Sequence, residues 1–272
     1  MEKVDQGIKI FGLYDYEKES LAKYSFNEPD TYSIDKENRT TSMEAFSKGD
    51  KKIAEFLYSK LQFIDFDTFT KSLLRAADNI KHIIPDSVVF LEPYKSQHWV
   101  AKLVAKSTHI YSKCYIKIGE ANAGSLENSL KDLPEGFDKT LFNNIIIMDD
   151  GSFSGNQMSG NITGARRIIS ENYNINPIFH IVVPYITKFA LDKMQDLKVN
   201  VCNAHIMKSV HDVIGGNTSD NVKEFLWPKN TNTRDLKSMA LTYFAHKIPN
   251  SMSFPEVIAE MLPPIKEPYK QC

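Results

Sequence analysis

Asn144-Ile-Ile-Ile-Met148 runs straight into Asp149-Asp150-Gly151-Ser152-Phe153-Ser154-Gly155, and this stretch decides the fold. The first part is continuously apolar and rich in β-branched residues. A strand covered on both faces reads this way, because neither side alternates with polar residues. The second part is acidic, small and turn-forming. After it, NQMSGNITGARRIIS from Asn156 is helix-like. The unit is strand, loop, helix.

Outward from it the same alternation recurs. Ser87–Leu91 is a short apolar run, followed by the turn EPYKSQ and the helical pattern HWVAKLVAKS. CYIKI at 114–118 is strand-like, and a looser stretch with Gly124, Pro134 and Gly136 follows. Ile178–Val183 reads as a strand stopped by Pro184, Lys188–Leu197 as a helix, and Val199–Cys202 as a strand. Strands alternating with helices predict an α/β fold, a parallel sheet flanked by helices with right-handed crossovers. This core spans 83–215. Residues 1–82 form a mostly helical N-terminal region. It has an apolar start at Ile8–Leu13, polar loops to residue 50, and helical spacing of Ile53, Phe56, Leu57 and Leu61. Asp67 is expected to cap the next helix. Residues 216–272 form a C-terminal hood or tail, polar to residue 235, helix-like at its start from Asp235 and Pro-rich at its end.

The bulk numbers narrow the function classes. The 272 residues are 42% hydrophobic and 25% charged, enough for a sizeable core. With 33 basic against 34 acidic residues, net charge is -1, so there is no global attraction to nucleic acid or an anionic membrane. Cys114, Cys202 and Cys272 lack metal-ligand spacing and are odd in number, which fits a reducing, cytoplasmic setting. No run of about 18 apolar residues and no signal-peptide pattern is present in the sequence.

Ligands of open parallel sheets bind beyond the carboxyl ends of strands, where DDGSFSG lies. Asp149 and Asp150 are acceptors suited to ribose hydroxyls and to Mg²⁺, a hard cation, directly or through water. Gly151 and Gly155 allow close backbone approach, and Ser152 and Ser154 add hydroxyls. Unpaired amides and the positive dipole end of a helix starting near Asn156 favour a phosphate. The same residue types also suit a strand–turn–helix link with no ligand.

IIIMDDGSFSGNQ resembles the phosphoribosyl pyrophosphate signature of type I phosphoribosyltransferases. Asp149 and Asp150 match its acid pair, and Ser154-Gly155 match its phosphate-loop Thr-Gly. Gln157 stands where that family usually has Thr or Ser, and Gly151 and Phe153 also differ from the common pattern. The resemblance is closest to divergent phosphoribosyltransferase-like domains of bacterial conflict systems, to which the tail Pro268-Tyr269-Lys270 is also similar. It implies a phosphoribosyltransferase-like sheet that binds Mg²⁺-phosphoribosyl pyrophosphate and transfers the phosphoribosyl group to a nitrogenous acceptor. The loop from Gly151 through Ser152, Phe153, Ser154, Gly155 and Asn156 to Gln157 would hold the 5-phosphate. Lys95 and Ser96 would stand at the pyrophosphate loop, which here lacks the family's usual Gly. A homodimer is compatible with the resemblance.

Two further readings stand beside this one. One is a non-catalytic sensor of a nucleotide or phosphoribosyl metabolite. The other is a Mg²⁺-dependent phosphate-ester hydrolase, which the adjacency of the acids disfavours against an Asp-x-Asp pattern. GNQMSGN has Asn161 where a phosphate-binding loop of Walker type needs Lys. GSFSG centres on Phe153, not on a nucleophilic Ser. Lys117 reads as a solvated strand residue, Arg166 and Arg167 as surface charges, and His180 as a core histidine. In Tyr243-Phe-Ala-His-Lys247, Lys247 is the candidate ligand of a hood over the site.

Overall fold

The structure, a computed structural model, describes residues 9–11, 48–92, 96–118, 123–215, 226, 235–246, 253–260 and 262. Lys95, Lys247, the 268–270 tail and most of 216–235 lie outside the described residues.

The expected parallel sheet flanked by helices is present. Its strands are β1 (Lys9–Phe11), β3 (Val88–Leu91), β4 (Cys114–Lys117), β5 (Asn144–Met148), β6 (Ile178–Thr187) and β7 (Asn200–Met207). They pair in parallel in the order β1-β4-β3-β5-β6-β7. From β3 the chain moves outward to β4, then returns past β3 to lay down β5. The direction of winding therefore reverses between β3 and β5.

The apolar strands sort their side chains by parity. Val89, Leu91, Ile146 and Met148 face one layer. That layer holds α2 (Phe66–Asp78) and α3 (Ser96–Thr108). Val88, Phe90, Ile145 and Ile147 face the other. It holds α4 (Ala123–Lys131), α5 (Asn156–Tyr173) and α6 (Lys188–Asp196). This is the two-residue period of a strand, and burial on both faces explains the uninterrupted apolar run.

Outside the main sheet, β2 (Gln62–Ile64) pairs in parallel with β8 (Thr242–Phe244). A small apolar cluster there joins Leu57 of α1 (Lys48–Tyr58), Val210 of α7 (Val210–Ile214), Tyr243 of β8 and Ile258 of α8 (Glu256–Glu260).

Several local expectations are corrected. The cap of α2 is Asp65, whose carboxylate accepts from Thr68 N at 2.8 Å, and Asp67 lies in the first turn instead. The stretch after β4 is a helix, α4, not a loose segment. The segment from Asp235 makes one 3-10 turn, Leu236–Ser238, and then enters β8. Pro184 does not end β6, which continues to Thr187. β5 pairs with β6 only as far as Met148 opposite Val182, so beyond that point β5 needs no N–H from Pro184. The facing pattern changes across the proline instead: Val183 faces α4–α6, whereas Tyr185 faces α2–α3. The register with β7 skips Pro184 and resumes with the same offset, Val183 opposite Asn203 and Tyr185 opposite His205.

Candidate functional site

The winding reversal between β3 and β5 opens the crevice in which a doubly wound sheet places its ligand. Two chain segments leave the sheet there. Glu92 follows β3, and Ser96 opens α3. Asp149–Gly155 follows β5 and leads into α5.

Strand alternation separates the two acids. Met148 faces the α2–α3 layer; Asp149 follows with 9% of its surface exposed, and Asp150 turns back into that layer with 1% exposed. Ser96 Oγ donates to Asp149 Oδ1, which also accepts from Asp150 N at 2.8 Å. Asp150 Oδ2 lies 3.6 Å from His246 Nε2, just beyond β8. Ser96, expected at the pyrophosphate loop, is thus joined to the acid pair.

The loop that follows is pinned at its start and open at its end. Ser152 N donates to Tyr185 O at 3.0 Å, and Thr187 N donates to Ser152 O at 3.0 Å. Thr187 Oγ1 donates to Phe153 O, and the Phe153 ring is buried in the α2–α3 layer. Ser152 and Phe153 therefore act as an extension of the sheet. Ser154, Gly155, Asn156 and Gln157 lie beyond that anchor. Gly155 is the N-cap of α5 at φ +68° and has no side chain of its own to cap the helix. A Cβ at Gly155 would approach Met194 Cε to 3.0 Å, so the left-handed turn is packed tightly against α6. Asn156 N donates to Ser154 Oγ at 3.3 Å, and Lys193 Nζ from α6 donates to Asn156 Oδ1. The first turn of α5 thus presents amides, a hydroxyl and a nearby ammonium, a setting that attracts an anion.

Glu92 crosslinks the two sides. The buried carboxylate accepts from Gln97 Nε2 at 3.3 Å, from Asn161 Nδ2 at 3.3 Å and from Gln157 Nε2. Gln157 and Asn161 lie one turn apart on a single face of α5, so one acid at the end of β3 holds the start of that helix. Sequence reasoning passed over Glu92, although an acid ending a buried strand opposite two amides at i and i+4 was the available signal. It also passed over His246, choosing its neighbour Lys247. His180 is a buried residue, its Nε2 3.1 Å from Asn144 Oδ1, as expected. Arg166 reaches Leu197 O, and Arg167 pairs with Glu171 on the surface.

No protein-family model and no curated protein matches the chain. Solved structures similar to part of it include two. One is a Helicobacter pylori xanthine-guanine-hypoxanthine phosphoribosyltransferase, 10% identical, with 53% of this chain and 86% of that one covered at a TM-score of 0.34. The other is a hypothetical protein from Neisseria gonorrhoeae with bound ppGpp, 12% identical, with 54% and 84% covered at a TM-score of 0.35. Neither similarity assigns the chain to a family.

Among the described residues, no group of three His, Cys, Asp or Glu side chains converges as a metal site. Asp149 already holds a hydroxyl and an amide, and Asp150 faces an imidazole. Their carboxylate oxygens are of the hard type that a magnesium ion takes, directly or through water.

Proposed function

We propose that the crevice beyond β3 and β5 binds Mg²⁺-phosphoribosyl pyrophosphate, and that the protein transfers the phosphoribosyl group to a nitrogenous acceptor, releasing pyrophosphate. One observation carries the reading. A carboxylate at the end of β5 and a helix start with a left-handed glycine at its N-cap lie in one short loop at the winding reversal. Acceptors for a sugar's hydroxyls and donors for its phosphate are thereby set side by side.

Asp149, with Asp150 behind it, accepts the ribose hydroxyls. Ser154, Gly155, Asn156 and Gln157 anchor the 5-phosphate with a hydroxyl, amides and the helix dipole. In the transfer, the C1–oxygen bond to pyrophosphate breaks and a C1–nitrogen bond to the acceptor forms. Positive charge develops on the ribose ring, and the nearby carboxylates stabilise it from fixed positions. Magnesium carried on the pyrophosphate supplies neutralisation of the leaving group's charge. No protein nucleophile is required.

A second reading is a sensor that binds a phosphoribosyl metabolite or nucleotide without turnover. The Ser96–Asp149 bond favours it, because the β3 side then offers the crevice a hydroxyl already in use. Pyrophosphate release from phosphoribosyl pyrophosphate, assayed with a panel of purine and pyrimidine acceptors, separates the two. Release with at least one acceptor supports transfer. Saturable binding without release supports the sensor. Absence of binding sinks both.

A further inference from the structure

Glu92 ends β3 at the crevice and has no exposed surface. Side chains from two helices donate to its Oε2. Gln97 Nε2 comes from α3, at 3.3 Å, and Gln157 Nε2 and Asn161 Nδ2 come from α5, the latter also at 3.3 Å. Those two helices pack on opposite faces of the sheet, α3 through Trp99 and Val100 and α5 through Met158 and Ile162. Glu92 therefore bridges the two layers at the strand ends.

The same turn of α3 also reaches the other side of the site. Ser96, the neighbour of Gln97, donates to Asp149 Oδ1. From Asp149 the chain runs through Gly155 to Gln157 on α5. Hydrogen bonds and chain together close a ring: Asp149, Ser96, Gln97, Glu92, Gln157, and back along the loop to Asp149. The ring carries the proposed sugar acceptor at one point and the proposed phosphate-binding helix start at another.

Physical chemistry gives the ring a role. Hydrogen bonds to a carboxylate are shorter and stronger than those between neutral groups. A ligand that engages two subsites at once gains from their fixed spacing, whereas a ligand that engages one subsite does not. Whatever fixes that spacing therefore selects for the two-ended ligand.

We infer that Glu92 is a positioning residue that sets the distance between the sugar end and the phosphate end of the crevice. The inference rests on the ribose-phosphate reading above. Glu92 acts through Gln97 on one side and through Gln157 and Asn161 on the other, without touching the ligand itself. When the acceptor is removed, the starts of α3 and α5 shift relative to each other, and the two ends no longer match one sugar phosphate. Each end keeps its own groups, so a ligand that needs only the phosphate end is little affected.

The test compares two probes, ribose 5-phosphate and inorganic phosphate, titrated by NMR into the full chain. The wild type should bind ribose 5-phosphate more tightly than inorganic phosphate. Glu92→Ala removes the acceptor of all three bonds, and Glu92→Gln keeps the length and one acceptor oxygen. Glu92→Ala should weaken ribose 5-phosphate by about tenfold or more and change inorganic phosphate by less than about twofold. Glu92→Gln should fall between it and the wild type. Equal ribose 5-phosphate affinity in the wild type and Glu92→Ala overturns the positioning role while leaving the site reading intact. Parallel weakening of both probes also overturns it, because Glu92 then supports the fold rather than the spacing. If Glu92→Ala does not fold, Glu92→Gln against the wild type decides by the same two affinities. A wild type that binds neither probe, or binds ribose 5-phosphate no better than inorganic phosphate, overturns the site reading and this inference together.

Discussion

At the scale of single residues, Gly155 carries the most local information. Its φ of +68° strains any side chain, and a Cβ there would have to displace the end of Met194 by a few tenths of an ångström. Gly155→Ala is expected to cost about 1–2 kcal/mol from the left-handed backbone alone, read by chemical denaturation. His180 makes a separate prediction. Burial holds its imidazole below the ordinary value of 6.5, with repulsion from His82 adding to the shift. The unfolded chain then takes up this proton at a higher pH than the folded one. The stability contributed by neutral His180 is complete above about pH 6.5 and declines as pH falls through the window below it. A Tm–pH profile of His180→Gln should be flatter in that window than the wild type's, and superimposable profiles would refute the assignment. The sequence made Asp149, Asp150 and Gly155 legible because strand, acids and turn are contiguous. It did not disclose that Asp150 meets His246 or that Glu92 gathers Gln97, Gln157 and Asn161, since those partners are joined by tertiary packing.

At the scale of elements, the long apolar strands and amphipathic helices were legible from period alone, β5 and α5 most clearly. Short elements were not. β2 and β8 have three residues each, too few for any period, and form because each supplies the other's hydrogen bonds. α4 was obscured because Leu126 and Leu130 are spaced as a helix face but sit among Gly and polar residues. Pro184 misled because a proline stops a strand only where its missing N–H is needed. The start of α2 offered two acids. Asp65 caps it because its backbone is extended, at φ -65° and ψ 163°, while Asp67 is already within the helix. Asp65→Ala should therefore destabilise by about 1 kcal/mol, with Asp67→Ala doing less, as measured by denaturant midpoints. Hydrogen bonds to Thr68 hold the Asp65 carboxyl below its usual range. The cap is therefore in place above about pH 3.8 and is lost as pH falls through the lowered value.

At the scale of the molecule, strand order turns separate motifs into one candidate site. Glu92, Ser96 and Gln97 are distant in sequence from residues 149–157 and meet them because β3 and β5 are neighbours at the winding reversal. The C-terminal segment reaches the same place by pairing β8 with β2, which brings His246 beneath Asp150. No helix among the described residues is long and apolar enough to cross a membrane. The central claim is that Asp149 and Asp150 hold a sugar while the start of α5 holds its phosphate. Calorimetry with Mg²⁺-phosphoribosyl pyrophosphate on the wild type and on Asp149→Asn with Asp150→Asn tests it most directly, with circular dichroism confirming that both are folded. The wild type should bind saturably and the double variant should lose about a hundredfold or more in affinity, from the removal of two charge-assisted acceptors. Undiminished binding by a folded double variant, or none by the wild type, would contradict it.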